Sequence, residues 1–338
     1  MTRIWAGIVV GAGLALLPQA ADAGILDTVK QRGVLHCGVG PGLAGFGLPD
    51  QQGNWTGLDV DLCRGVAAAI FNDPTKVKFV PLSAKDRFTA LQSGEVDVLS
   101  RNTTWTLSRD TSLGLAFSAV NYYDGQGFMV RKKLNLKSAK DLAGASICTQ
   151  QGTTTELNVA DYFRANNLKF EAVVFATNDE TVKAYDAGRC DAFTTDASGL
   201  YAERLRLQNP DDHVVLGDII SKEPLGPSTR HGDDQWFDIV RWTHYAMVNA
   251  EELGVTKANV AEMRKSANPE IKRLLGTEGT FGAGLGLSND WAFQIVAHLG
   301  NYGEVFERNV GMGSKLKIER GLNKLWNQGG LQYAPPVR

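Results

Sequence analysis

The sequence lacks the charge imbalance that marks several large classes of protein. Its 338 residues include 35 Lys and Arg against 37 Asp and Glu, which leaves a formal charge of −2. A nucleic-acid-binding protein would cluster its basic residues and have a high isoelectric point, so no nucleic-acid partner is expected. With 43% hydrophobic residues the whole chain cannot be disordered, and its length exceeds what one hydrophobic core usually serves. The composition therefore favours a folded protein of two domains.

Motifs of common enzymes and metal sites are also missing. No G-x-S-x-G is present, the five histidines show no pairing with a nucleophile, and none of the four cysteines forms C-x-x-C. Residues 40–45 match G-x-G-x-x-G, but turn-rich sequence follows them where a dinucleotide site requires a helix. We therefore expect no catalytic residue, no metal and no cofactor.

Long apolar runs are scarce, and the one at the N-terminus predicts export. Arg3 precedes the apolar residues 4–17, and an A-x-A pattern follows at residues 21–23. This order is typical of a secretory signal peptide, here residues 1–23. The alternative, a membrane anchor, needs about 20 apolar residues. We expect cleavage to leave a mature chain that begins near Gly24.

Strand and helix patterns alternate through the first two hundred residues, which predicts an α/β fold. Residues 90–102 (ALQSGEVDVLSRN) and 184–196 (AYDAGRCDAFTTD) both follow A-x-x-x-G-x-x-D. Five residues past the Asp of each motif stand Asn102 and Asp196. The repeat predicts two α/β lobes that each place a polar residue at the carboxyl end of a strand, where ligands bind open sheets. Chance recurrence of helix–Gly–strand units is the alternative.

Two short segments are candidates for holding an anion. Thr153 and Glu156 fit the S/T-x-x-E capping box, and the helix they would open presents unpaired N–H groups beside Thr154. The hydroxyl-rich loop NTTWTLSR ends in Arg109, the side chain best suited to bidentate capture of a carboxylate. Capping alone, or a surface pairing of Arg109 with Asp110, would also explain these residues.

Asp196 completes a set of complementary charges. Its carboxylate suits an ammonium, whereas the arginine and the helix start suit a carboxylate. Burying either charge of a zwitterion alone is costly, so both need partners. The set predicts a site for a free α-amino acid.

The four cysteines allow three disulfide pairings in an oxidising compartment. We favour Cys37–Cys63 and Cys148–Cys190, because each pair would lie within one predicted lobe. Four buried free thiols are the alternative.

These segments together resemble the polar-amino-acid family of bacterial periplasmic solute-binding proteins (family 3), which deliver ligands to ABC transporters. The shared features are the G-x-x-D strands of both halves, the T-x-T-x-x-R loop, QGTT-x-E and the Asp that ends DAFTTD. TTWTLSRD, NYYDGQGFMVR, GPSTRHGDDQWFDIVRW and GNYGEVFERNVG further resemble its general L-amino-acid-binding subgroup.

The resemblance implies a two-lobe type II fold with two hinge crossings. Lobe 1 would comprise residues 25–124 plus 222–250, lobe 2 residues 128–218, and residues 251–338 a helical extension packed on the lobes. It also implies a periplasmic monomer that binds L-amino acids broadly and passes them to a membrane permease. The alternative is a periplasmic, dehydratase-like enzyme on the same fold.

Transferred to this sequence, the family pattern assigns the ligand contacts. Arg109 would bind the α-carboxylate with help from Thr104 and Thr154. Asp196 would bind the α-ammonium, and Asn102 would contact the ligand mainly through its backbone. Thr153 is a weaker candidate.

Two departures from the family pattern favour a roomy pocket. Gly40 and its neighbours stand where relatives specific for cationic amino acids have an acidic residue, and Ser83–Lys85 replaces a stacking aromatic. Phe46 and Trp105 are candidate walls, unless either belongs to the core.

Overall fold

The computed structural model describes Thr2 and residues 24–338, so the predicted signal peptide lies outside the described residues apart from Thr2. Within them, no helix combines the length and the apolar character needed to cross a membrane.

The described elements fall into four consecutive groups. Up to the first hinge crossing they are α1 (Ile25–Arg32), β1 (Leu35–Val39), β2 (Leu48–Pro49), β3 (Trp55–Thr56), α2 (Leu58–Phe71), β4 (Val77–Pro81), α3 (Arg87–Gln92), β5 (Val98–Leu99), β6 (Leu115–Phe117) and β7 (Tyr122–Asp124). The second lobe contains β8 (Gln126–Arg131), β9 (Ser146–Gln150), α4 (Thr154–Ala165), β10 (Glu171–Phe175), α5 (Asn178–Asp186), β11 (Ala192–Asp196), α6 (Ala197–Arg204) and β12 (His213–Val215). The chain returns through β13 (Glu223–Leu225), β14 (Ser228–Arg230) and α7 (Asp234–Glu252). The C-terminal region adds α8 (Val260–Met263), α9 (Pro269–Leu274), α10 (Phe281–Gly284), α11 (Trp291–Leu299) and α12 (Tyr302–Asn309).

The two lobes contain five-stranded sheets of matching topology. Their strand orders are β4-β1-β5-β14-β6 and β10-β9-β11-β8-β12. In each sheet the first three strands are parallel and the fourth is antiparallel to both its neighbours. Strands β7 and β13 pair with each other as a two-stranded antiparallel hinge between the lobes. The predicted two-lobe α/β fold with two crossings is confirmed.

The sequence repeat corresponds to the same structural unit in both lobes. Its glycine has φ of 80° in lobe 1 and 84° in lobe 2, a left-handed conformation that favours glycine after a helix. The aspartates bind the neighbouring strand in the same way: Asp97 Oδ2 accepts from His36 N at 2.8 Å, and Asp191 Oδ2 from Ser146 N at 2.9 Å. The sequence repeat therefore marks the equivalent starts of β5 in lobe 1 and β11 in lobe 2.

Both favoured disulfides are present. Cys37–Cys63 joins β1 to α2, and Cys148–Cys190 joins β9 to the residue two before β11. Each bond lies within one lobe.

The C-terminal region packs on lobe 1 and the hinge. Tyr302 and Phe306 are buried in the same hydrophobic core as α2 and α7, and Tyr302 Oη donates to Asn121 O at 2.9 Å. Asn323 pairs with both backbone groups of Tyr123 in β7. The contacts of Tyr302 and Asn323 therefore attach hinge strand β7 to the core of lobe 1. Trp326, in contrast, is 49% exposed and contributes less to this packing.

Candidate functional site

A cavity of about 260 Å³ lies between the lobes, at the carboxyl ends of β5 and β11. Lobe 1 lines it with residues 40–43, Ser83, Arg87, Arg101, Asn102 and Thr104. Lobe 2 lines it with Gln150, residues 153–155, residues 177–179, Thr195, Asp196, Gly199, Glu203 and Arg206. The structure therefore brings Asn102, Thr104, Thr153, Thr154 and Asp196 together, although they come from distant parts of the sequence.

Asp196 lines the cavity, and its carboxylate accepts no hydrogen bond from the described residues. It occupies the N-cap position of α6 without a side-chain cap bond and is only 7% exposed. Burial raises the pKa of Asp196 well above its usual value, and the charges of Asp124 and Glu223 raise it further. A cationic group in the cavity would stabilise the ionised carboxylate of Asp196, which is what the predicted contact with an ammonium group requires.

Three buried guanidinium groups lie on the lobe 1 side. Arg87 is 3% exposed, and Arg101 and Arg109 are each 7% exposed. Within residues 24–338 none of the three has a carboxylate oxygen within 4.0 Å. Burial lowers the pKa of each, to about 10 for Arg101 and well below its usual value for Arg87. The cluster can therefore bind an anion.

Arg109 and Arg87 have different places in this cluster. Arg109 Nη1 donates to Thr104 O at 2.8 Å, its guanidinium carbon lies 5.1 Å from the centre of the Phe88 ring, and the residue is not among those that line the cavity. Arg87 does line it, and its Nε has no partner in the described part of the chain. Its Nη1 reaches only Thr103 Oγ1, at 3.4 Å.

The start of α4 lies at the edge of the cavity in lobe 2. Thr153 is the N-cap, and its Oγ1 accepts from Glu156 N at 3.3 Å. Glu156 Oε2 accepts from Gly152 N, not from Thr153 N, so only half of the predicted capping box forms. The first N–H groups of the helix, those of Thr154 and Thr155, have no partner inside the helix and lie where the cavity begins.

Asn102 lines the cavity and has a left-handed backbone conformation with φ of 32°. Its N–H donates to Asp59 Oδ2 at 2.7 Å, and its Oδ1 accepts from Arg101 Nη1 at 3.3 Å. Burial raises the pKa of Asp59 to about 6. The carbonyl of Asn102 accepts no hydrogen bond from the described residues, so it is available to a ligand.

Phe46 and Trp105 do not form walls of the cavity. Phe46 is buried in the core of lobe 1, edge-on to Tyr122 at 5.3 Å between ring centres. Trp105 stacks on Phe117 at 5.8 Å and is 40% exposed. Phe46 belongs to the core, the alternative that the sequence left open, whereas Trp105 is partly exposed outside the cavity.

Three residues at or beside the cavity were not among the predicted site residues. Arg101 had a usable signal, because it directly precedes Asn102 at the end of the repeated strand. Arg87, the first residue of α3, had no signal in the sequence that would mark it as a site residue. Glu223 binds Thr104 and Thr154 from β13, a contact that no sequence spacing indicates.

Comparison with known proteins places this architecture in a family. The sequence model of the bacterial extracellular solute-binding proteins, family 3, matches residues 35–274. The chain belongs to this family. It is 62% identical over 338 residues to the general L-amino acid-binding periplasmic protein of Rhizobium johnstonii, covering 99% of both chains.

Two further relatives of this solute-binding protein are similar over almost their full length. The glutamate/glutamine/aspartate/asparagine-binding protein of Rhodobacter capsulatus is 58% identical, over 96% of both chains. A solved periplasmic binding protein from Brucella ovis with glutathione bound is 63% identical, with a TM-score of 0.92 over 94% of this chain and 100% of that one.

Proposed function

We propose that this solute-binding protein binds free L-amino acids in the bacterial periplasm and delivers them to the permease of an ABC transporter. The observation that carries the proposal is the unbonded carboxylate of Asp196, which shares one buried cavity with guanidinium groups of the opposite lobe. The names of the Rhizobium and Rhodobacter relatives support the same ligand class.

The α-ammonium is placed at Asp196, with the free carbonyl of Asn102 as a second acceptor. The α-carboxylate is placed at Arg109, which lies behind the lining residues and donates to Thr104 O, and at the backbone N–H groups of Thr104 and Thr154, both of which line the cavity. The two ends of the zwitterion thus bind groups of opposite charge on different lobes. Both lobes are needed to complete the site, so closure about β7 and β13 accompanies binding.

Broad specificity follows from the remaining wall. No aromatic ring lines the cavity among the described residues, and residues 40–43 contribute two glycines there. Arg87 and Arg101 face the remaining space, so acidic side chains and their amides belong among the preferred ligands. The peptide glutathione, bound by the Brucella relative, is a candidate of the same polar character.

Calorimetry tests the proposal on mature protein that has been unfolded, freed of ligand and refolded. Titration with the twenty L-amino acids is expected to give submicromolar binding of several, and no heat with any of them would refute the function. Arg109→Ala is expected to abolish binding. Arg164→Ala, which removes the same charge from a side chain that is 79% exposed in lobe 2, is the control.

We further propose that the protein binds its ligand without converting it, and that it acts as a monomer. Mass spectrometry of the ligand after long incubation would show the starting compound. Conversion to another product would instead support a dehydratase-like enzyme. Light scattering with and without ligand would report the oligomeric state.

A further inference from the structure

Glu223, at the start of hinge strand β13, binds side chains of both lobes. It is 1% exposed, and its carboxylate accepts four hydrogen bonds. Oε2 accepts from Thr104 Oγ1 at 2.6 Å and from Thr154 Oγ1 at 2.9 Å, while Oε1 accepts from Asn158 Nδ2 and Ser221 Oγ, both at 2.6 Å. One buried carboxylate therefore joins the ligand loop of lobe 1 to α4 of lobe 2.

The contacts on the two sides respond differently to opening. The loop that carries Thr104 is fixed to β13 through its backbone, because Trp105 N donates to Pro224 O at 2.8 Å. We therefore expect the contact of Glu223 with Thr104 to be retained when the lobes separate. The bonds from Thr154 and Asn158 come from lobe 2, so opening lengthens or breaks them.

The same contacts fix the two threonine hydroxyls at the cavity. Each hydroxyl has one proton, and Thr104 and Thr154 both donate it to Glu223, which leaves their oxygens 3.4 Å apart. The start of α4 is thus held against the lobe 1 loop that completes the site.

We propose that Glu223 is a positioning residue for ligand binding, which holds Thr104 and Thr154 together across the cleft and favours the closed arrangement before the ligand arrives. This inference rests on the proposed function. The apparent affinity of a binding protein scales with the fraction of molecules already in the competent form. Losing the buried, charge-assisted bonds to Glu223 therefore weakens binding without removing a ligand contact.

Glu223→Ala and Asn158→Ala test the inference, since neither residue lines the cavity. Each is expected to lower affinity for the best amino acid about tenfold or more and to increase the radius of gyration of the ligand-free protein in X-ray scattering. The double variant is expected to lose less affinity than the product of the two single losses. The reason is that both substitutions remove the same hydrogen bond, the one from Asn158 to Glu223. Glu223→Gln, which keeps an oxygen for the two threonines, is expected to recover most of the affinity.

Asp218→Asn is the matched control. Asp218 also lies beside the hinge, but its bonds to Ser138 and Ala139 stay within lobe 2. Wild-type affinity and scattering are expected. If Glu223→Ala does not fold, Asn158→Ala decides the question through the same two measurements.

The possible failures are distinguishable. A wild-type protein that binds no amino acid refutes the proposed function. A wild-type protein that binds, together with an Asn158→Ala protein, and a Glu223→Ala protein where it folds, of unchanged affinity and scattering, refutes the positioning role alone.

Discussion

An Asp196→Asn variant keeps the shape of the side chain and removes its charge from the cavity. In the proposed complex this leaves a buried ligand ammonium without its counter-ion. Removing one partner of a buried, hydrogen-bonded charge pair costs about 2–5 kcal/mol. At about 1.4 kcal/mol per factor of ten, the expected loss of affinity is about 30-fold to 4000-fold.

The same substitution is expected to lower ligand affinity but to raise the free energy of unfolding of the ligand-free protein. Burial raises the pKa of Asp196 in the folded state, whereas the unfolded chain ionises it at the ordinary value. Between those two values the folded state holds more protons, so the free energy of unfolding falls as pH rises through the interval. Asn carries no such cost. The ligand-free variant is therefore expected to melt at a higher temperature than wild type at pH 7.

Calorimetric titration and differential scanning calorimetry measure the two effects on the same samples. Asp161→Asn is the control, because it removes one charge from a carboxylate of lobe 2 whose side chain is 64% exposed. An Asp196→Asn protein that binds as tightly as wild type, or melts lower without ligand, would refute the assignment of this carboxylate to the ammonium.

Four further predictions follow from the geometry. Arg87→Met is expected to weaken binding of glutamate more than binding of leucine in calorimetry, because its guanidinium faces the side-chain space. Trp105→Ala is expected to leave affinity within about twofold, since the ring lies outside the cavity. Replacing Cys148 and Cys190 together by Ser is expected to lower the free energy of unfolding by about 2–4 kcal/mol in urea titrations. Affinity is expected to fall as pH decreases, beginning at higher pH than for an ordinary aspartate, because binding needs Asp196 ionised and its pKa is raised.

Sequence reasoning succeeded where the information is local. The repeated G-x-x-D motif predicted two equivalent strands because its glycine and aspartate act within a few residues of themselves. It also placed Asn102 and Asp196 at facing strand ends. Arg87 and Glu223 were not predicted, because their roles depend on which side chains the packed lobes bring near them. Glu223 is 119 residues from Thr104 along the chain.

The proposed positioning role of Glu223 raises the question of why an empty protein would not simply stay closed. The charges of the cavity oppose closure, because the carboxylate of Asp196 and the guanidinium of Arg109 are both buried, and neither has an oppositely charged group within 4.0 Å in the described part of the chain. Burying unpaired charge is costly, and this cost acts against the bonds of Glu223. A zwitterionic ligand supplies both missing partners at once, whereas a plain cation or anion supplies one. We therefore expect closure to depend on a ligand of the correct charge pattern, with little contribution from the overall −2 charge of the chain.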